Sequence, residues 1–570
     1  MDFTSFSVTD NWGSGFTGYI TFENFTPDPI NGWSVEFDAP FNIYEMWDGQ
    51  VVQQVGDRYT VQNLYYNAQV PSGNSLSFGF NAYAPPSGSI YDPVNQPQDF
   101  SLNGIQPEDP GSPGGFSYGE ALQKSFLFYE AQRSGDLRND NRIDWRDDSA
   151  LGDGADVGRD LTGGYYDAGD HVKFGFPMAS ALTLLAWGVD EYRQAYEAMG
   201  QLDEAMDAIK WGTDYILKAH VVQGGETQTF YGQVGDGDID HAYWGSPEDM
   251  TMERPAFAID TQRPGTELAA ESAAALAAAS IVFRPSNERY ADRLLNNAKK
   301  LYRFAEENLG TYHESISDAE GFYKSFSGFY DELAWGAAWL YNATDQRRYY
   351  RTASDIYDGV EYTHTWDNKD LGTAVLLSQI APGSKNRYRT DAQEYLNQWS
   401  LGRGDVQYTS GGFAWLDEYG SARYSATAAF LAGIYGDNVR DFDGRYTGFA
   451  ESQVDYLLGD NPNNFSYMVG FGDNYARQPH HRAASGVDYV TAPGDNEHIL
   501  YGALVGGLTA PNDNAYEDAR NNFVANEVAL DYNAGFTGAL ARMYEQYGGD
   551  PLTDAQLDAL PGISVPSGGF

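Results

Sequence analysis

Residues 267–283 read ELAAESAAALAAASIVF, and this stretch decides the larger part of the fold. Ala and Leu are strong helix formers because they give up little side-chain freedom in the helix. Neither Gly nor Pro interrupts the run. Its apolar side chains lie on more than one face, which a helix tolerates only when protein surrounds it. The stretch therefore predicts a helix of an inner layer. Outward on both sides the same grammar returns: ALTLLAWGVDEYRQAYEAMG (181–200), LDEAMDAIKWGTDYILKAHV (202–221), RYADRLLNNAKKLYRFAEENL (289–309) and DELAWGAAWLYNAT (331–344) carry apolar residues three and four apart. About a dozen such helices are expected between Phe116 and residue 548. Between them run long loops rich in Gly, Asp and aromatics, at 148–177, 231–256 and 471–514. Loops of that length inside a domain usually carry function, so the pattern predicts helical hairpins arranged in a ring around a cleft.

Upstream the helical grammar stops at QPEDPGSPGG (106–115), where turn and linker residues crowd together. Residues 1–105 hold eleven acidic residues and one basic residue, Arg58. Their runs GFTGYITFENF, GWSVEFDAPF, RYTVQNLYY and SLSFGFNAY alternate with period two and are broken by Gly, Pro, Asn and Asp. That is the pattern of an all-β sandwich. The chain is thus multidomain: a sandwich over 1–105, a linker over 106–115, a helical domain over 116–548 and a linker-like tail over 549–570.

The 570 residues include 81 Asp plus Glu against 35 Lys plus Arg, a formal charge of −46, and no Cys. Disulfides, thiolate metal sites and thiol nucleophiles are excluded. So acidic a surface repels phosphate backbones and anionic lipid, leaving no nucleic acid or membrane partner, and it favours a monomer. Only nine of the basic residues are Lys. The charge balance suggests adaptation to high salt, where ions screen self-repulsion; an ordinary acidic secreted enzyme is the alternative. No apolar run long enough to span a bilayer is evident. Met1-Asp2-Phe3 opens without a signal-peptide pattern, so an extracellular protein with any signal peptide already removed is expected.

Three segments concentrate chemistry. In GGYYDAGDHVKFGFP (163–177), Asp167 and Asp170 stand three apart with Gly169 between them. They can jointly hold a water and take its proton, or simply bind backbone amides as in an Asx-rich loop. In YEDARNNFVANEVALDYNAGFTGALA (516–541), Glu527 lies among Val524, Val528 and Ala529. Apolar surroundings raise a carboxyl's pKa and suit it to general-acid work, although an ordinary surface glutamate fits the same letters. In SYMVGFGDNYARQPHHRAAS (466–485), His480, His481 and Arg482 are adjacent in a chain with only eight His. Without Cys or a spaced carboxylate beside them, hydrogen bonding to a polar ligand suits them better than metal ligation.

Together these segments resemble glycoside hydrolase family 9, the inverting cellulases, over roughly Tyr118 to Tyr547. The histidine signature is met from Ser466 to Arg482, and the second signature by Tyr516, Asp518, Phe523, Glu527, Asn533 and Ala534. The resemblance implies an all-α (α/α)6 barrel with an open cleft that hydrolyses β-1,4-glucan. It implies Asp170 as the base that activates water, Asp167 as its partner in holding that water, and Glu527 as the acid. His480 and Arg482 would bind hydroxyls near the cleaved bond. His241, Trp244, Tyr323, Phe326, Tyr419, Arg423, Tyr424 and Tyr532 would form sugar subsites, aromatic rings stacking on the C–H faces of glucose. Phe326 and Tyr419, with Tyr362 a possible third, stand where the family often carries Trp.

In SFSGFYDELAWGAAWLY, Asp331 and Glu332 are hard oxygen ligands at a helix start, with Ser327 and Gly328 able to offer carbonyls. This suits Ca²⁺ better than Zn²⁺; the alternative is stabilisation of the helix dipole. The family resemblance adds Asp367 as a further carboxylate and a structural calcium ion. The N-terminal module resembles family 2 carbohydrate-binding modules, through DNWGSGFTGYITFEN, INGWSVEFDAPFNI and GNSLSFGFNAYAP. This implies a cellulose-binding strip at Trp12, Trp47 and Tyr66, with Trp33 buried, and leaves chitin or xylan as other ligands. Tyr66 replaces the usual third Trp. The combined expectation is an endo-β-1,4-glucanase acting on cellulose or a related β-1,4-glucan. Its rivals are a mixed-linkage glucanase and a catalytically inactive glucan-binding protein.

Overall fold

Alternation along the N-terminal strands puts Phe16, Ile20, Phe22, Phe37, Phe78 and Phe80 on one side, where they meet as a single buried cluster. The computed structural model describes residues 5–566 except 24–29, 65, 71–74, 87–89, 91–94, 103–114, 138–140, 384 and 443. It divides into two units, Met1–Gly115 and Phe116–Phe570. All but the last residue of the 106–115 linker lie outside the described residues.

The first unit contains β1 (Ser5–Asn11), β2 (Gly15–Glu23), β3 (Ile30–Asn31), β4 (Ser34–Asp38), β5 (Ile43–Trp47), β6 (Gln50–Val55), β7 (Arg58–Gln62), β8 (Gln69–Val70), β9 (Ser75–Tyr83) and β10 (Gln98–Leu102). Two four-stranded antiparallel sheets, ordered β1-β2-β9-β5 and β10-β4-β7-β6, enclose the core. Trp33 lies within it, stacked on Phe78 at 5.7 Å.

The second unit is built from α1 (Tyr118–Ala131), α2 (Gly175–Glu191), α3 (Leu202–Ala219), α4 (Thr266–Phe283), α5 (Glu288–Glu307), α6 (Tyr330–Thr344), α7 (Arg347–Ile356), α8 (Asp370–Ile380), α9 (Asn386–Leu401), α10 (Ser421–Asn438), α11 (Arg445–Leu458) and α12 (Leu530–Tyr547). The even-numbered helices pack in the cyclic order α2-α4-α6-α8-α10-α12 and back to α2, and each is backed by one odd-numbered helix. This double ring follows from composition. Every residue of α4 except Ile281 is buried, as its Ala-rich faces require, whereas α5 buries one stripe, including Tyr290, Leu294, Leu301 and Ala305. One sequence expectation is corrected here: α4 is long and apolar enough to cross a membrane by composition. Its position inside the ring, nearly all of it buried, accounts for that character.

A second correction concerns the C-terminal segment. Residues 549–566 do not trail as a linker. Ser117 Oγ donates to the Asp550 carbonyl at 2.6 Å, Gln123 Nε2 donates to the Leu552 carbonyl at 3.0 Å, and Ser564 N donates to the Arg142 carbonyl at 2.8 Å. Leu557 and Ile563 are buried, so the segment closes over the end of α1.

Candidate active site

The loops on one end of the ring bring the three chemical segments together through backbone bonds. Arg482 N donates to the Gly169 carbonyl at 3.0 Å, Leu530 N to the Asp167 carbonyl at 3.0 Å, and His480 N to the Asn526 carbonyl at 2.7 Å. Gly169 is obligatory in this contact: a Cβ there would lie 1.9 Å from the His480 carbonyl oxygen. The glycine between the two aspartates is what lets the 167–172 loop press against the histidine segment.

The three carboxylates then meet different surroundings. Asp170 accepts hydrogen bonds from Ala168 N at 3.2 Å and Val172 N at 3.3 Å, which orient it. Asp167 is buried; Tyr323 donates its hydroxyl to Oδ2, while Oδ1 has no protein partner. Burial, reinforced by the charge of Asp170, pushes the Asp167 carboxyl well above the usual range. Glu527 follows the short helical turn Phe523–Asn526 and receives the Tyr419 hydroxyl. Burial raises its pKa to about 7, the Asp170 charge adding to the effect and the Tyr419 hydrogen bond opposing it. Asp167, Asp170 and Glu527 share the wall of a cavity of about 1070 Å³ with Tyr323, Phe326 and Tyr419.

The histidine pair separates into two roles. Nδ1 of His480 lies 2.7 Å from the Arg520 carbonyl, so that nitrogen carries the proton and Nε2 does not. Burial lowers the His480 pKa to about 4, keeping the ring neutral. Its ring meets Trp244 in a T-shaped contact at 5.0 Å, and the Arg482 guanidinium lies over Trp244 at 5.1 Å. His481 is buried, accepting from Ala484 N at Nδ1 and facing Gln132 Oε1 through Nε2 at 2.7 Å. It holds a turn together and does not face the cleft.

Two profiles match the chain: glycosyl hydrolase family 9 over residues 118–540, and a cellulose binding domain over residues 3–106. The chain belongs to glycosyl hydrolase family 9. Endoglucanase A of Bacillus pumilus is 50% identical over 449 residues, 76% of this chain and 67% of that protein. Endoglucanase B of Cellulomonas fimi is 49% identical over 77% of this chain but only 43% of its own length. Among solved structures, the endoglucanase of the termite Nasutitermes takasagoensis superposes with a TM-score of 0.70 at 46% identity, covering 75% of this chain and 98% of that one. A cellulase of C. cellulolyticum in complex with cellobiose superposes with a TM-score of 0.71 at 36% identity, covering 76% and 100%. The helical unit is an endo-1,4-β-glucanase domain of this inverting family, carried behind a cellulose binding domain.

In this family 9 domain the expected subsite residues fall into two groups. His241, Tyr323, Phe326, Tyr419, Arg423, Tyr424 and Tyr532 line the cavity, whereas Trp244, His480 and Arg482 form the adjoining cluster beside Glu527. Two further residues emerge from packing. Asp531 accepts from Arg423 Nη1 at 3.2 Å, fixing a guanidinium that covers Tyr532 at 5.0 Å; its place four residues after Glu527 in the same short segment was the available signal. Trp366 stands edge-on to Tyr323 at 4.9 Å and lines the cavity, and no sequence pattern marked it. Asp170, Asp240 and His241 form an acidic group whose ligand atoms lie within 4.8 Å of one another and could hold a cation.

The residues expected at a calcium site also converge. Ser327 Oγ donates to Asp331 Oδ2 at 3.2 Å and to the Asp367 carbonyl at 3.1 Å, and Asp367 accepts from the backbone of Phe326 and Ser327. Gly328 adopts φ +91°, which its lack of a Cβ permits. Glu332 is fully buried, and neither of its carboxylate oxygens has a hydrogen-bond partner. Its nearest cation, Lys369 Nζ, lies 3.7 Å away. Burial and the Asp331 charge push the Glu332 carboxyl well above its ordinary range.

On the first unit, Trp47 lies over Gly79, where a Cβ would come within 2.4 Å of the indole, and Trp12 lies against Gly15. Tyr66 is 57% exposed and donates to Asp48 Oδ1 at 2.8 Å.

Proposed function

We propose that this chain is an extracellular, monomeric endo-β-1,4-glucanase that cuts cellulose with Glu527 as general acid, Asp170 as general base and Asp167 as a second holder of the attacking water. The observation that carries this reading is the contrast across one cavity: Glu527 has its pKa raised to about 7, while Asp170 is oriented by two backbone amides. In an inverting reaction the acid and base stand about 6.5–9.5 Å apart, leaving room for water below the anomeric carbon. Asp170 takes a proton as the water oxygen bonds to that carbon. The glycosidic C–O bond breaks, and Glu527 protonates the departing oxygen. The unpartnered Oδ1 of Asp167 is available to the same water. Tyr323, Tyr419 and the Arg423-backed Tyr532 supply rings and donors for the flanking sugars. The test is hydrolysis of a soluble β-1,4-glucan by the native chain and Glu527→Gln, following reducing ends and anomeric configuration. Release of the α-anomer by the native chain alone supports the assignment; β-anomer, or full activity in the variant, refutes it.

Asp331, Glu332 and Asp367, with oxygens from Ser327 and Gly328, are the residues that would hold calcium. Both oxygens of buried Glu332 lack hydrogen-bond donors, and the ammonium of Lys369, 3.7 Å away, is shared with Glu271 at 3.9 Å, so the acids here outnumber it and fit a hard cation. The ion would neutralise these acids at the start of α6 and hold the Phe326 loop at the cleft edge. The module face carrying Trp12, Trp47 and Tyr66 would tether the enzyme to cellulose. Net charge of −46 supports salt adaptation: thermal unfolding should shift upward between low and molar salt, where the screening length shrinks to about 3 Å. A flat response removes that part of the reading.

A further inference from the structure

The outward face of the β1-β2-β9-β5 sheet holds a second aromatic group that the Trp12, Trp47 and Tyr66 strip leaves unused. Tyr44 and Tyr83 are 49% and 58% exposed, and their rings meet at 4.8 Å with a 43° tilt. Phe78, Phe80 and Ala82 point into the core, so Tyr83, like Gly79 and Asn81, points outward by strand alternation. Tyr44 reaches the same face through a local device. Ile43 pairs with Ala82 and Glu45 with Asn81, so the strand carries Tyr44 as an extra residue in a β-bulge. A bulge re-aims side chains, and here Tyr44 and Glu45 both stay exposed on neighbouring positions. Without the bulge, alternation would turn one of them into the core.

Register places this pair to one side of the strip. Trp12 lies against Gly15, whose partner on β9 is Tyr83, so the tyrosines are level with Trp12 but one and two strands further across. Trp47 lies over Gly79, four residues along β9, or about 13 Å at the usual rise of roughly 3.3 Å per residue. A line from Trp12 to Trp47 crosses the sheet diagonally and leaves the tyrosines about 5–10 Å to the side, one to two strand spacings. Thr17, Asn81 and Glu45 are linked by hydrogen bonds of 2.8 Å across the face between the two levels. An extended glucan chain is a line, and it cannot cover three platforms that are not collinear.

Resting on the proposed role of the module, we propose that Tyr44 and Tyr83 stack on a second β-1,4-glucan chain, lying beside the one seated on Trp12, Trp47 and Tyr66. The module then reads the spacing of neighbouring chains and favours an ordered cellulose surface over a single chain. The experiment compares full-length native chain, Tyr44→Ala/Tyr83→Ala, Tyr44→Phe/Tyr83→Phe and Trp47→Ala. Adsorption is measured on microcrystalline and on amorphous cellulose, with hydrolysis of soluble carboxymethylcellulose and thermal unfolding as controls. The double Ala variant should lose about five- to tenfold in affinity for the crystalline substrate, the worth of one good aromatic stack. It should keep its affinity for amorphous cellulose and its soluble activity, and the Phe variant should adsorb like the native chain. Trp47→Ala should weaken binding to both forms. Native-like crystalline adsorption by the double Ala variant, with Trp47→Ala impaired, overturns the second platform. Equal losses on crystalline and amorphous cellulose overturn the two-chain arrangement. If Trp47→Ala also adsorbs normally, the reading of the whole face fails instead. A fall in melting temperature without a change in adsorption means the pair only stabilises the sandwich.

Discussion

Two groups of buried and half-buried acids sit in the helical unit and differ in what surrounds them. Asp167, Asp170 and Glu527 are met by tyrosine hydroxyls and backbone amides, so each oxygen environment differs, and burial raises the pKa of Asp167 and of Glu527. Asp331, Glu332 and Asp367 lie together at the start of α6, and the most buried of them has two oxygens that no donor meets. In the proposed function the same residue type thus serves two chemistries. Graded neutral donors suit carboxylates to proton exchange, while three neighbouring acids, one of them with both oxygens unmet by any donor, suit a cation.

The sharpest way to break this comparison is to remove one member of each group. Glu527→Gln should lower kcat by about 10²–10⁴-fold, the usual worth of a general acid, and leave the melting temperature near or above that of the native chain. Glu332→Gln, or chelation of the native chain, should do the reverse. Stability should fall by about 2.7 kcal/mol at calcium 100-fold above its Kd, seen as a lower melting temperature restored by calcium in the native chain only. If chelation leaves unfolding unchanged, the second group binds no cation and the contrast dissolves.

Titration sharpens the first group. In the proposed role Glu527 acts protonated, so kcat should decline as pH rises through about 7, about tenfold per unit well above that value. The folded pKa lies above the ordinary glutamate value of 4.5, so native Glu527 retains its proton longer than the unfolded chain does. Its burial therefore costs stability increasingly as pH rises through that window, and Glu527→Gln should narrow the difference in melting temperature between pH 5 and 8. The smallest effect belongs to Tyr419→Phe. The Tyr419 hydroxyl favours ionised Glu527, so its loss should move the alkaline limb to higher pH. A limb that stays in place means the hydroxyl positions sugar without tuning the acid.

Much of this was legible in the linear chain. Period-two runs announced the sandwich and Ala-rich periodicity the inner helices, because burial on one face or on all faces leaves its mark on composition. The carboxylates proposed to react and His480 stand in short local segments whose spacing is fixed by covalent geometry. What emerged only in three dimensions involves contacts between distant segments. His480 and His481, adjacent in sequence, part because Arg520 holds one ring and Gln132 the other. Trp366 joins the cleft by packing on Tyr323. The 549–566 segment, read as a tail, buries Leu557 and Ile563.

The sequence by itself determined which elements form and which residues can move protons, since propensity, pattern and functional-group chemistry are local properties. The tertiary structure decided which carboxyls burial pushes upward, which histidine meets Trp244 beside Glu527 and which exposed tyrosines meet on one face. Those outcomes depend on burial, on donors supplied from other loops and, at Tyr44, on one extra residue in a strand pairing, and none of these is a property of a single segment.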